Sequence, residues 1–384
     1  LLSIKNLLPT ESGTTNMRFP HTFIGLMWLL LLVSMETRAQ SALPDTVCNN
    51  NSDRAYFVSG SPGSTYSWTV PGGTIIGPNN MNTIHVNWNG VSPGNYSITV
   101  VEHAVNGCSG DPLTGNVSVT QVPYVSFQGC FDTVTTTNAQ PIKLKSGILA
   151  GGTYSGTGVS NGYFYPAIAG AGIHQVSYTR TNGGCSSVAH LNITVLAAVP
   201  FTCGQNFTDV RDGTIYPTIE IGSQCWMNSN LRYGTAIPSD QHQRDNCINE
   251  KYLYSSSILQ PPSSFYQWDE LMNYEATPAN QGLCPPGWHV PLQSEWNTLM
   301  NLFAGNAYAG DSLKPGGISG FNALSTGAGF NNSKWDLAFA TFFWTSDAHG
   351  TTEAWAHGLN TINHGVSLYP SSRSNAFPVR CIKD

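Results

Sequence analysis

Charge is scarce in this chain. Only 10% of its 384 residues are Asp, Glu, Lys or Arg, and the formal net charge is -6. No basic stripe occurs, which excludes a nucleic-acid partner because that surface needs a positive face. No block of like charges suggests a disordered tail. Beyond residue 40 there is no long apolar run, so no membrane span is expected once a leader is removed. None of the nine cysteines sits in the two-residue-spaced pairs of a zinc site. No Gly-x-Ser-x-Gly elbow is present to hold an esterase nucleophile. The glycine-rich stretch Gly151 to Gly158 lacks the Lys-Ser/Thr and the helix of a phosphate loop, and reads as a turn between strands.

Abundant Gly, Ser, Thr and Asn suit β-rich extracellular modules, and the length suffices for two or three of them. Met17-Arg18, the apolar run Phe23 to Val33 and Thr37-Arg-Ala39-Gln40 read as a signal peptide cut after Ala39. Leu1 to Asn16 then reads as upstream sequence. The apolar run is short for a membrane span. An exported chain with nine cysteines is expected to carry disulfides rather than a metal. Sequence proximity pairs Cys48 with Cys108, Cys130 with Cys185, and Cys203 with Cys225, while Cys284 with Cys381 clamps the last hundred residues. A closed loop of that size is worth about 4 to 5 kcal/mol in the loop-entropy model. Cys247 is left as a free thiol or a cross-link to another molecule.

Four segments follow: upstream residues and leader (1–40), a β-sandwich (41–122), a second β-sandwich (123–197) and a terminal α+β module (202–384). In the first, Tyr66 to Val70, Ile84 to Trp88, Tyr96 to Val100 and Val117 to Val119 alternate apolar and polar residues between Gly and Pro turns, with Trp68 in the core. Ile142 to Leu144, His174 to Thr179 and Leu191 to Val195 repeat the pattern in the second. The short linker Leu196 to Pro200 suggests a semi-rigid rod with the last module at its tip. There, helical spacing gathers Trp268, Leu271 and Met272 on one stripe and Trp296, Leu299, Met300 and Phe303 on another. Leu292 stands where a capping hydroxyl is usual, which suggests that the second helix begins late.

Trp68 and Pro93-Gly-Asn-Tyr-Ser-Ile-Thr-Val100 resemble PKD-like domains of Bacteroidota surface proteins, and the second sandwich resembles an immunoglobulin-like module of that kind. Gly213-Thr-Ile-Tyr216, Ile221 to Met227, Tyr266-Gln-Trp-Asp-Glu270, Cys284-Pro-Pro-Gly-Trp-His-Val-Pro291, Glu295-Trp296, Phe343-Trp-Thr-Ser346 and Val379-Arg-Cys381 resemble, in that order, the Fibrobacter succinogenes major paralogous domain. The resemblance runs from Thr202 to Asp384. It implies a C-type lectin-like fold, shared with formylglycine-generating enzymes and with hypervariable receptors of diversity-generating retroelements.

Each chemistry those folds host leaves a mark that can be sought. Calcium-dependent sugar binding uses Glu-Pro-Asn or Gln-Pro-Asp with Trp-Asn-Asp; only Trp335-Asp336, among Asn331, Asn332 and Lys334, approaches it. The copper-binding cysteine pair of formylglycine-generating enzymes has no counterpart between Cys284 and Cys381. His349, His357 and His364 follow no ligand spacing and read as exposed loop histidines. Glu295, Asp269 and Glu270 read as the solvated faces of helices rather than a glycosidase pair. His289 reads as a buried histidine bonded to backbone, and Trp226, Trp288, Trp344 and Trp355 as packing. The hypervariable relatives contact partners just before the C-terminal strand, which here implies His357 to Asn375, with Asn360, Asn363, His364, Tyr369, Arg373 and Asn375 as ligand-binding candidates. The expectation is a secreted or surface-located recognition or adhesion protein for a glycan or a surface protein, with no catalytic residue, metal or cofactor. A purely structural surface component and an enzyme of the formylglycine-generating type are the alternatives.

Overall fold

The computed structural model describes residues 44–254, 263–330, 334–336 and 339–384. The expected leader, Asn331, Asn332 and the side chains of Lys334, Trp335 and Asp336 lie outside the described residues. The protein is mostly β and has several modules. In the first, strands Asp45–Cys48, Leu113–Thr120, Gly94–His103 and Thr65–Thr69 form one sheet in that order, facing Arg54–Phe57, Thr83–Asn87 and Thr74–Ile76. The alternation of the sequence places Trp68, Ile84, Val86, Trp88, Ile98 and Val117 between the sheets. Trp68 is 8% exposed, as expected of a core residue.

The second module builds a sheet from Thr153–Ser155, Gly172–Asn182, Cys185–Leu196 and Val134–Thr136, with shorter strands across a core of Phe127, Phe164, Val176, Tyr178 and Ile193. Its long hairpin turns at Gly183-Gly184, both at positive φ (52° and 82°), a geometry that glycine adopts without strain. A β-carbon on Gly183 would lie 2.8 Å from the Thr120 side chain, so the hairpin tip abuts the first module closely.

In the third module Ile382–Lys383 lies within a sheet whose order is Asn206–Thr208, Ile215–Ile221, Gln224–Met227, Ile382–Lys383 and Trp288–His289. A six-stranded sheet includes Glu250–Tyr254, Ser263–Gln267 and Ala376–Phe377, and a third joins Ala340–His349, Glu353–Asn360 and Ser367–Ser372. The two larger cores lie around Tyr266, Trp268, Trp288 and Trp344 and around Trp226, Trp296, Phe321 and Phe343, with a small third around Tyr252 and Phe265. Trp355 is half-buried, edge-on to His349. The Trp268 helix is a single turn, Trp268–Leu271. The second, Gln293–Asn301, buries Trp296, Leu299 and Met300. It starts directly after Leu292 rather than late. The Glu295 carboxylate accepts the Leu292 N–H (2.8 Å) and Asp347 accepts that of Gln293 (2.7 Å), so two acids replace the missing hydroxyl.

Two of the cysteine pairings differ from those that proximity suggests. Cys48 bonds Cys185, and Cys130 bonds Cys247, so both bonds run between modules, over separations of 137 and 117 residues. Cys203–Cys225 and Cys284–Cys381 close within the third module. Cys108 is the free and exposed cysteine. Cys48 cannot reach it. Cys48 pairs in register with Thr120, whereas Cys108 lies in the turn before Leu113, about seven strand residues or roughly 23 Å away. Cys185 opens the strand after the Gly183-Gly184 turn and is thereby held against the first module, out of reach of Cys130.

Non-reducing peptide mapping should return these four pairs, and iodoacetamide on the unreduced native protein should alkylate Cys108 alone. A Cys48–Cys108 peptide would refute the inter-module bond.

Candidate functional site

The six ligand-binding candidates fall in two places. Asn360, Asn363 and His364 lie on the turn between Glu353–Asn360 and Ser367–Ser372. The Asn360 carboxamide oxygen accepts the N–H groups of Ile362 (3.0 Å) and Asn363 (2.6 Å), which shapes the turn. His364 Nδ1 lies 2.5 Å from Asp311 on the short helix Ala309–Leu313, and Lys314 bridges Asp311 (3.1 Å) to the Asn363 carbonyl (2.5 Å). The bonds from His364 and Lys314 hold the exposed Asp311 carboxyl below its ordinary pKa. Tyr369 is half-exposed on the neighbouring strand and packs edge-on to Phe342.

Arg373 and Asn375 sit at the other end of that strand. The Arg373 guanidinium lies 4.1 Å over the Trp268 ring and donates to Asp269 and to the carbonyls of Glu353 and Gly350. Asn375 is buried, its amide donating to Ser371 Oγ at 3.0 Å. These two hold the strand's exit to the helix Trp268–Leu271, away from the turn.

Sequence reasoning missed the apolar side chains around the turn. Tyr308 (66% exposed), Ile318 (87%), Phe339 (66%) and Ile362 (81%) stand on segments that converge there. Backbone bonds from Val366 to Asn306 and from Thr361 to Phe339 join the segments of Tyr308, Phe339 and Ile362, and that of Ile318 is tied in through Ser319 to Ser312 and Asp311 to His364. In sequence such residues are indistinguishable from core, because the glycine-rich chain around them has no period to assign a face.

The interior polar groups are not solvated helix faces. His289 is buried but bonds two carboxylates rather than backbone: Asp384 at 2.6 Å through Nδ1 and Glu295 at 3.0 Å through Nε2. Burial alone would lower its pKa, yet the bonds and charges of Asp384 and Glu295 outweigh it and push the imidazole up to about 9. Glu270 is 2% exposed, and burial raises its carboxyl to about 7, opposed by bonds from the Glu250 N–H (2.6 Å) and the Tyr274 hydroxyl (2.8 Å). Asp269 alone fits the solvated reading, being half-exposed beside Arg373. His357 is not a loop histidine. It lies in Glu353–Asn360, stacked on Trp296 at 4.9 Å, and burial lowers it to about 4. Burial likewise lowers Arg380 to about 9; it donates to the Phe321 and Asn322 carbonyls and to Asn230, over the ring of Phe321. His349 pairs with Glu353 and His364 with Asp311, so the three late histidines occupy separate surroundings. Among the described residues no three His, Cys, Asp or Glu side chains converge as metal ligands would.

The His289 contribution has a definite sign. Its folded pKa of about 9 exceeds the ordinary unfolded value of about 6.5, so its stabilisation is fully present below about 6.5 and is lost as pH rises through about 9. At most this is on the order of 3 kcal/mol. The melting temperature of the wild type should fall between pH 7 and 10, and His289→Asn should flatten that decline; equal slopes in both proteins would reject the linkage.

The family model of the Fibrobacter succinogenes major domain matches residues 219–383, and that of a PKD-like domain matches residues 36–119. No curated protein matches the chain. Similar solved structures include fibronectin(III)-like modules of Clostridium thermocellum CbhA (15% identity, 40% of this chain and 90% of that one, TM-score 0.25). Drosophila OTK extracellular domains 3-5 are 10% identical over 42% of this chain and 60% of that one, with TM-score 0.25. SGBP-B of the Bacteroides ovatus mixed-linkage glucan utilization locus, solved with a mixed-linkage heptasaccharide, is 14% identical over 90% of this chain and 96% of that one, with TM-score 0.18. Likenesses at these scores carry nothing about function. The two family matches give the domain order: the protein joins a PKD-like domain to a Fibrobacter succinogenes major domain.

Proposed function

We propose that this is an exported, non-catalytic recognition or adhesion protein, secreted or held at the cell surface. Its β-sandwich modules carry a C-type lectin-like domain whose loops bind a surface protein or a glycan. The carrying observation is a contrast within the third module. Its interior acids and bases, Glu270, His289, Glu295 and Arg380, are committed to internal bonds. The turn at Ile362 to His364 and the segments beside it instead present Tyr308, Ile318, Phe339 and Ile362 to solvent, flanked by Asn363 and His364. Exposed apolar side chains on adjoining segments, rimmed by polar ones, mark a contact surface, and aliphatic side chains suit a protein partner better than a sugar. Disulfides between extracellular-type modules suit an oxidising compartment. Among the described residues no helix is long and apolar enough to cross a membrane.

The test is binding of the oxidised full chain to arrays of surface proteins and polysaccharides, with and without EDTA. Burying one aliphatic side chain is worth roughly 1.5 to 3 kcal/mol, so Ile318→Ser with Ile362→Ser should weaken a hit at least tenfold. Stability should stay within about 0.5 kcal/mol, since both residues are exposed. A hit insensitive to these changes would move the face elsewhere, and no hit on either array would favour a structural surface component. The exported protein should begin at Gln40 by N-terminal sequencing; another start would displace the signal cut.

A further inference from the structure

The second and third modules enclose a crevice of about 220 Å³. One wall is the segment around Gln140 and Lys143 of the second module, the other the loop from Asn273 to Gln281 of the third. Four features point to a ligand there.

First, two residues of its lining carry a buried oxygen without a hydrogen-bond partner, Thr135 Oγ1, on a residue 2% exposed, and Gln281 Oε1; neither atom has surface open to the crevice, so a ligand would meet them after a rotation of the side chain. An unmade hydrogen bond of this kind costs about 1 to 3 kcal/mol. Second, the loop wall is strained. Asn273, Tyr274 and Ala279 have φ of 52°, 59° and 56°, left-handed values that non-glycine residues seldom adopt outside over-determined sites. The partner module fixes this strain: Lys145 donates to the Asn273 carbonyl (2.8 Å), Gln140 donates to that of Ala279 (3.0 Å), and the Gln281 N–H donates back to Gln140 (3.0 Å). Third, the charges in the lining cancel. Arg211 pairs with Asp132 at 2.9 Å and Lys143 with Glu275, which leaves no net charge to attract a phosphate, sulfate or ammonium group. Fourth, the lining combines apolar residues, Phe131, Ile142, Tyr163 and Pro278, with residues that carry amide and hydroxyl groups.

A neutral molecule with many hydroxyls and apolar C–H faces matches the unpartnered oxygens, the paired charges and the apolar faces, and the volume suits one or two rings. We propose that this crevice is a binding site for a mono- or disaccharide unit held between the second and third modules. It is separate from the loop face and does not depend on the reading of that face.

Saturation-transfer NMR and calorimetry on the oxidised full chain test it, with glucose, galactose, mannose, N-acetylglucosamine, cellobiose and maltose as neutral probes and glucuronate and glucose 6-phosphate as charged ones. At least one neutral probe should saturate with Kd of millimolar order or below. Thr277→Trp, which fills the mouth from an exposed position, should weaken it at least about tenfold. Thr135→Val removes one unpartnered hydroxyl; it should leave the melting temperature unchanged or raised while weakening the sugar, so it serves even if the tryptophan variant misfolds. Ile318→Ser with Ile362→Ser should change nothing here. The proposal is overturned if no neutral probe saturates up to about 50 mM, if binding survives both crevice changes, or if a charged probe binds tighter than its neutral parent.

Discussion

Arg211 is a cation with 2% of its side chain exposed, and the anions that make this tolerable come from two modules. Asp209, fully buried, lies 2.8 Å away in its own module, and Asp132 reaches in from the second sandwich. The Tyr233 ring lies 3.7 Å from the guanidinium, while its hydroxyl and the Asn249 amide donate to Asp132. Burial opposes the charged form, but the bonds and charges of the two carboxylates outweigh it and raise the Arg211 pKa. Removing one member of such a buried group typically costs 3 to 5 kcal/mol, because an uncompensated charge remains. The covalent tie is at the same spot: Cys130 is two residues from Asp132, and Cys247 two from Asn249. The position of the crevice walls, and the angle at which the second module meets the third, follow from this joint.

Low overall charge takes on another meaning once the charges are located. Arg211, Arg380, Glu250, Glu270 and His289 are all buried in the third module. They brace irregular chain, where long glycine-rich segments have few ladder bonds to share. Arg380 shows the pattern without an ion pair among the described residues: carbonyls and aromatic rings hold a cation in the second core, and the loop at Phe321 and Asn322 is fixed by it.

Local periodicity was enough to read the strands of both sandwiches and the two tryptophan-bearing helical stripes, while a family resemblance marked the third module. What it could not supply was anything that depends on which end of a strand faces a neighbour. Cys48 and Cys108 look adjacent in sequence, yet the parallel pairing of Asp45–Cys48 with Leu113–Thr120 puts them at opposite ends. Glu270 and Glu295 look like surface acids on helices, but the helix Trp268–Leu271 is one turn long and packed on both sides, and His289 arrives from a distant strand to meet Glu295. The surroundings of the six ligand candidates were not legible. The turn carrying Asn360, Asn363 and His364 is exposed, whereas Arg373 and Asn375 are consumed by contacts with Trp268, Asp269 and Ser371 that no spacing announces.

The two inter-module disulfides interleave, since Cys130 lies inside the span of Cys48 to Cys185 and Cys185 inside that of Cys130 to Cys247. Tension applied along such a chain passes through the sulfur atoms, from Cys48 across to Cys185, back along the chain to Cys130 and across to Cys247. The polypeptide from Asn49 to Gly129 is left slack. A molecule tethered in flow would therefore keep its first sandwich and the joint with the second at nearly constant length under a pull that would unravel an uncrosslinked string of domains.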